Sequence, residues 1–253
     1  MITLGLDPSL TAFGWCVHDS SQVGPARVVE RGRFATPASD VFVKRYKDLR
    51  CAVNELLDRF PQIEGVGVES TAFGEMYSEG MYALFTHVNE ALYDHRKDVI
   101  HFDPLTVKLL VKQDPKVKQG KMFKSDMVDA AKADTGTTGR FNHNEADAYH
   151  IARFAARFWE LHRGLITGDD LTPSEQHVFL RQHTYTRGKR AGETEKLGAM
   201  FRENDRFFRF SLLEPRHHGE CSERKGREGQ QGSEGGGSAP EEGARSRKGK
   251  GAR

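Results

Sequence analysis

Three short apolar runs open this chain with little sequence between them, and that spacing constrains the fold more than any other feature. Residues 2–7 (ITLGLD), 12–18 (AFGWCVH) and 26–34 (ARVVERGRF) are separated only by turn-forming segments. Such short connections join antiparallel neighbours, because a parallel pair needs a crossover of about a dozen residues or more. A three-stranded meander is the expectation. The rhythm then changes. Residues 41–60 carry Val43, Tyr46, Leu49, Val53, Leu56 and Leu57 at helical spacing, with Pro61 as the stop. A buried strand follows at 63–68. A helix at 78–95 has Met81, Leu84, Phe85, Val88 and Leu92 on one stripe. A fifth strand at 99–102 leads into a short helix over 104–111, and further helices are expected at 125–133 and 144–163. Strands reached through helices, added to a meander, give an α/β sheet of mixed direction.

Composition bounds the rest. The chain has 253 residues and 37% hydrophobic content, with a mean hydropathy of −0.65. Both are low for a chain folded throughout. From residue 214 the sequence collapses into Gly, Ser, Glu, Arg and Lys, too apolar-poor to offset its ordering entropy. Residues 214–253 are therefore expected to be a disordered tail, 1–163 the main domain and 164–213 an extension. The formal net charge is only +2, so any affinity for nucleic acid has to come from local patches. The three cysteines include no CxxC pair, which argues against a zinc site or disulfide framework. No signal peptide and no run of about 18 apolar residues is visible. A reducing compartment is the expectation.

The residues that carry chemistry lie far apart in sequence. Asp7 closes the first strand, Glu69 the fourth, and Asp147 opens the last long helix in NHNEADAYHIARF. Hard divalent cations need converging oxygen ligands, and two such ions assist phosphodiester hydrolysis by activating water and stabilising the leaving oxygen. This pattern points to a metal-dependent nuclease. Plainer readings compete. Asp before Pro8 forms turns, a Glu ending a strand can mark the water boundary, and a carboxylate near a helix N-terminus is favoured by the macrodipole.

GLDPSLTAFGW, VESTAFGE, HFDPLTVKLLVK with the basic loop after it, and NHNEADAYHIARF occur in order over residues 1–160. In that combination the chain resembles the RuvC family of Holliday junction resolvases, within the RNase H-like superfamily, and most nearly the phage-encoded type. The resemblance implies an RNase H-like fold, a mixed five-stranded sheet flanked by helices. It implies a homodimer acting on branched DNA, four-way junctions above all, inside a bacterial host cell. It implies two Mg²⁺ ions per site, with Mn²⁺ as a substitute, held by Asp7, Glu69 and Asp147. The family's further ligand, three residues before the last acid, falls on Asn144, with His143 one residue earlier as the competitor; Glu145 should point away. By position Lys108 and Lys124 match the family's two functional lysines. Lys112, Lys116, Lys118 and Lys121 would form a phosphate-binding strip, although a solvated basic loop reads the same way. Phe73 is expected to insert into the junction, with Met76 and Tyr77 beside it and Tyr77 also touching DNA, unless these aromatics are simply core. The helix at 78–95 would be the dimer face, or would pack on its own sheet. The closest alternatives are a broader branched-DNA or flap nuclease and a junction-binding protein without catalysis.

Overall fold

The computed structural model describes residues 1–70, 79–112 and 122–180, then the short segments 182–184, 186–188, 191–192, 194–196, 200–203 and 206–209. All belong to one compact unit, Met1–Pro215. The tail expected over 214–253 lies outside the described residues.

The meander forms as expected. β1 (Ile2–Asp7) pairs antiparallel with β2 (Phe13–Asp19), and β2 with β3 (Val28–Phe34). A 3₁₀ turn, Gly24–Arg27, precedes β3 where the sequence reading had extended the strand. After α1 (Phe42–Arg59), β4 (Gly65–Glu69) returns parallel to β1. After α2 (Glu79–Asp94), β5 (Val99–Phe102) lies parallel to β4. α3 (Pro104–Lys112), α4 (Lys124–Thr135) and α5 (His143–His162) complete the main body.

Beyond residue 163 the chain adds α6 (Pro173–Phe179). A small hairpin follows, of β6 (Gln182–Thr184) and β7 (Thr194–Lys196). A second hairpin, β8 (Met200–Glu203) and β9 (Arg206–Arg209), joins β5 antiparallel. The mixed five-stranded sheet thus becomes seven-stranded, in the order β3-β2-β1-β4-β5-β8-β9. This hairpin covers the backbone edge β5 would otherwise present. α6 was not read from the sequence. Leu171 and Phe179 enter the apolar cluster around Phe158 and Trp159, with Ile166, Val178 and Leu180 packed against it, but a seven-residue helix is too short to show a helical period.

Strand periodicity divides the core in two. Leu4, Leu6, Val66 and Val68 point to one side, against Leu49, Val53, Leu84 and Val88 of α1 and α2. The apolar stripe of α2 is thereby used inside the molecule, while Tyr82 and Tyr93 of that helix stay exposed. The opposite positions are small. A Cβ on Gly5 would lie 2.0 Å from the Ala148 carbonyl oxygen, and one on Gly14 would lie 2.2 Å from that of Asn144. Those side-chain-free positions let α5 lie directly on the sheet. Thr3 adds a tether, its hydroxyl donating to the Ala152 carbonyl at 2.9 Å.

His18 lies on the same face of β2, 2% exposed. Burial, with Arg153 and Arg27 nearby, lowers its pKa to about 4; Asp134 and Asp19 pull weakly the other way. The Tyr149 ring meets its edge. An unfolded His takes a proton near pH 6.5, but this one stays neutral to about pH 4. Below pH 6.5 the unfolded state therefore binds more protons, and stability falls as pH drops. The expected loss between pH 7 and pH 4 is about 3 kcal/mol from this group. Urea unfolding at the two pH values, compared between the parent and His18→Leu, measures it. A loss of the same size in both proteins would remove His18 as the cause. The carboxyls described next titrate in the opposite sense, so only the difference between the proteins isolates His18.

Candidate active site

The period-2 pattern that puts Gly5 under α5 carries on to Asp7, and that of Gly65 and Gly67 carries on to Glu69. Parallel pairing aligns Leu6 with Val68, so the next residues, Asp7 and Glu69, stand side by side at the carboxyl ends of their strands. Neighbouring strands are about 4.8 Å apart, and the two side chains share a hydrogen bond. α5 begins over this point. Asn142 caps it, accepting from the backbone N–H groups of Asn144 at 2.8 Å and Glu145 at 3.2 Å. That cap fixes the first turn and presents Asp147 to the pair.

The electrostatics show how close the three acids are. Glu69 is pushed up to about 9, first by burial, then by the charge of Asp7, their hydrogen bond and Asp147; Lys108 opposes this. Asp147 rises to about 7 through burial and Asp7, against Lys108 and Lys124. Asp7 is also raised by burial, while the hydrogen bond from Glu69, Lys124 and His143 hold it down. Both members of the hydrogen-bonded pair are raised, so one proton is shared between Asp7 and Glu69. A buried acidic cluster that holds a proton in this way is short of positive charge, which a cation can supply. Among the described residues no three His, Cys, Asp or Glu side chains already stand in metal-ligating geometry. The donor set has the right chemistry, and the proton between Asp7 and Glu69 is what a cation would displace.

Both lysines expected on position reach this field. Lys108 is exposed on α3, whose Val107, Leu110 and Val111 are buried. Lys124 opens α4, which His150 ties to α5 through a 3.0 Å contact with the Met127 carbonyl. Lys112 ends α3, half-buried. Phe73, Met76, Tyr77, Lys116, Lys118 and Lys121 lie outside the described residues.

The two candidates for a further ligand separate clearly. Asn144 is buried, and its amide donates to the Ala12 carbonyl at 2.6 Å. It holds α5 to the turn after Asp7. His143 is exposed and close enough for Asp7 to feel its charge. Glu145 points away as expected, paired with Arg31 at 3.1 Å. Sequence reasoning missed Arg45. It is buried on α1 and donates to the Leu10 carbonyl at 2.8 Å and to the Thr36 hydroxyl at 2.9 Å. It thereby fixes the loop that follows Asp7. A single arginine within a mixed helical pattern gives no signal of that role.

No protein-family model matches this chain, and no curated protein matches it. Solved structures do. "T. thermophilus RuvC in complex with Holliday junction substrate" superposes with a TM-score of 0.51 at 21% identity, over 62% of this chain and 95% of that one. A structure of Thermus thermophilus RuvC gives a TM-score of 0.52 at 23% identity, over 63% and 97%. At these identities the likeness establishes architecture, and this chain has the RuvC-like, RNase H-like α/β fold.

Proposed function

We propose that this chain is a metal-dependent endodeoxyribonuclease that resolves four-way DNA junctions by paired nicks. The observation that carries this reading is the convergence of Asp7, Glu69 and Asp147 at the carboxyl ends of β1 and β4, within the fields of Lys108 and Lys124. The RuvC likeness supports the choice of junction DNA, since that fold is seen bound to a Holliday junction substrate.

Asp7, Glu69 and Asp147 would hold divalent cations, Mg²⁺ or Mn²⁺, with His143, whose charge reaches Asp7, as a further donor. Bound there, two cations supply activation of a water and stabilisation of the leaving oxygen. The chain's own contribution is orientation and charge. Asn144 and Arg45 fix the loop and helix that carry the acids. Lys108 and Lys124 offset negative charge gathering on the phosphoryl group. A homodimer would present two such sites to opposing strands, since two-fold symmetry matches a two-fold junction. Phe73 and Tyr77 would meet unpaired bases, and Lys112, Lys116, Lys118 and Lys121 the phosphates. The phage-type origin, and action in a host cytoplasm, belong to the same reading; among the described residues no helix is long and apolar enough to cross a membrane.

A labelled four-way junction incubated with the protein and Mg²⁺, beside flap, fork and linear substrates, tests the proposal. Symmetrical nicks confined to the junction are expected. Faster cutting of flaps would replace it with a debranching nuclease, and tight binding without cleavage in Mg²⁺ and Mn²⁺ with a junction-binding protein.

The ligand assignment has its own test. His143→Ala is expected to weaken cation binding, raising the Mg²⁺ concentration for half-maximal cleavage about tenfold or more with the melting temperature unchanged. Asn144→Ala is expected to cost about 1–3 kcal/mol of stability, because the Ala12 carbonyl loses its buried donor. Mg²⁺ titrations and urea unfolding of both variants separate the roles; the opposite pattern would make Asn144 the ligand.

A further inference from the structure

An exposed aromatic ring stands beside one of the two lysines. Phe123 immediately precedes Lys124, at the N-cap of α4, and is 58% exposed. Consecutive Cα atoms are about 3.8 Å apart. The ring is therefore anchored one residue from an ammonium whose charge holds down the pKa values of Asp7 and Asp147. α3 repeats the arrangement. It starts just past Phe102, which is registered with Glu69. Its Leu105 is 71% exposed and lies three residues before Lys108, on the same helical face. Lys108 in turn acts on Glu69 and Asp147. Scattered exposed apolar residues need no explanation, but here one accompanies each of the two lysines that the acids feel.

The needs of α4 do not account for Phe123. An N-cap favours Ser, Thr, Asp or Asn, whose side-chain oxygen accepts from the first turn. α5 and α6 follow that rule, with Asn142 and Thr172. A phenyl ring has no such acceptor, and the N-cap of α4 makes no side-chain hydrogen bond. Asp126 supplies the other half of the cap, accepting from the Phe123 N–H at 2.6 Å. The ring thus forgoes the stability a hydroxyl would give the helix, and most of its surface stays in water. Departures from local rules of this kind belong to functional positions.

The chemistry of the neighbourhood selects the ligand. A nucleotide joins a phosphate to a flat apolar face. Lysines take the first through charge, and an exposed aromatic ring takes the second by stacking. In a duplex both faces of a base are covered by its neighbours, so the occupant is an unstacked base.

We propose that Phe123 is a base-stacking residue, holding an unpaired DNA base close to the scissile phosphate while Lys124 serves the phosphate itself. This rests on the nuclease reading above and is separate from the contacts assigned there to Phe73 and Tyr77.

Four-way junctions carrying a single abasic site, moved one nucleotide at a time across the branch point, test it in binding titrations and single-turnover cleavage. The proteins are the full chain, Phe123→Ser and Phe123→Trp. Phe123→Ser is expected to bind the intact junction about fivefold or more weakly than the parent. Its melting temperature should equal or exceed the parent's, because serine caps the helix. Phe123→Trp should bind as the parent does. At one position the abasic site should weaken the parent by the same factor and leave Phe123→Ser unmoved. That position should lie within about three nucleotides of the nick, ~10 Å of strand at about 3.4 Å per nucleotide. Parent-like binding of the intact junction by Phe123→Ser overturns the proposal. So do losses that multiply at every position, or a coupled base farther from the nick. A parent that binds without cutting in Mg²⁺ or Mn²⁺ ends the nuclease reading; coupling in the binding cycle then still supports the stack, and its absence overturns it. A parent that binds no junction overturns both.

Discussion

Asp7→Asn will abolish Mg²⁺-dependent junction cleavage and at the same time raise the melting temperature of the metal-free protein. The two effects share one cause. Asp7 shares a hydrogen bond with Glu69, and its charge raises both Glu69 and Asp147. On the proposed function, removing it takes away a cation ligand, and it relieves the repulsion that the other two acids feel. Loss of a ligand from a two-cation site is expected to lower the rate at least about a thousandfold, or ~4 kcal/mol of barrier. The stability effect has a defined pH sense. A carboxyl whose folded pKa is raised adds stability below its unfolded value and loses it as pH climbs through the folded value. For Glu69 that window runs from 4.5 to about 9. The metal-free parent should therefore lose melting temperature across neutral to alkaline pH. Asp7→Asn should lose less and lie about 3 °C or more above the parent at pH 8, since ~1 kcal/mol moves a chain of this size by about 2–4 °C. Mg²⁺ should restore the parent and leave the variant unmoved. Nicking assays and thermal melts in EDTA and in Mg²⁺ check both halves. Cleavage within tenfold of the parent, or a variant melting below it, would take Asp7 out of the site.

The division between what the sequence showed and what it hid follows from where the information lies. Asp7 and Glu69 were legible because each ends an apolar strand, and strand pairing alone brings them together. Lys124 was legible by position, although its placement depends on the His150 contact with Met127, two residues with no pattern to connect them. Asn144 and His143 could not be told apart by spacing. Positions i−3 and i−4 share a helical face with Asp147, and what distinguishes their surroundings is the Ala12 carbonyl that Asn144 bonds, 132 residues away in sequence. α6 was hidden because a seven-residue helix is too short to show a helical period.

Gly5→Ala will be the most damaging single methyl group that can be added to this sheet. Its Cβ would meet the Ala148 carbonyl oxygen at 2.0 Å, the Ala152 nitrogen at 2.5 Å and the Ala152 Cβ at 2.9 Å. The first two are backbone atoms of α5 and cannot turn aside as a side chain would. The helix has to lift or slide. It then loses the Thr3 tether to Ala152 and the Asn144 bond to Ala12, and it carries Asp147 away from Asp7. The expected cost is about 3 kcal/mol or more. Cleavage should fall further than the folded fraction does, because a misplacement of about 1 Å can cost on the order of a hundredfold. Gly139→Ala provides the control. Its Cβ would find only the Thr137 hydroxyl, at 3.6 Å, so both stability and activity should stay near the parent. Urea unfolding and single-turnover junction cleavage of the two variants decide the matter. If Gly5→Ala unfolds at the parent's urea concentration, α5 is not seated on β1 by the absence of that side chain, and the positioning of Asp147 has to come from the Asn142 cap and Asn144 alone.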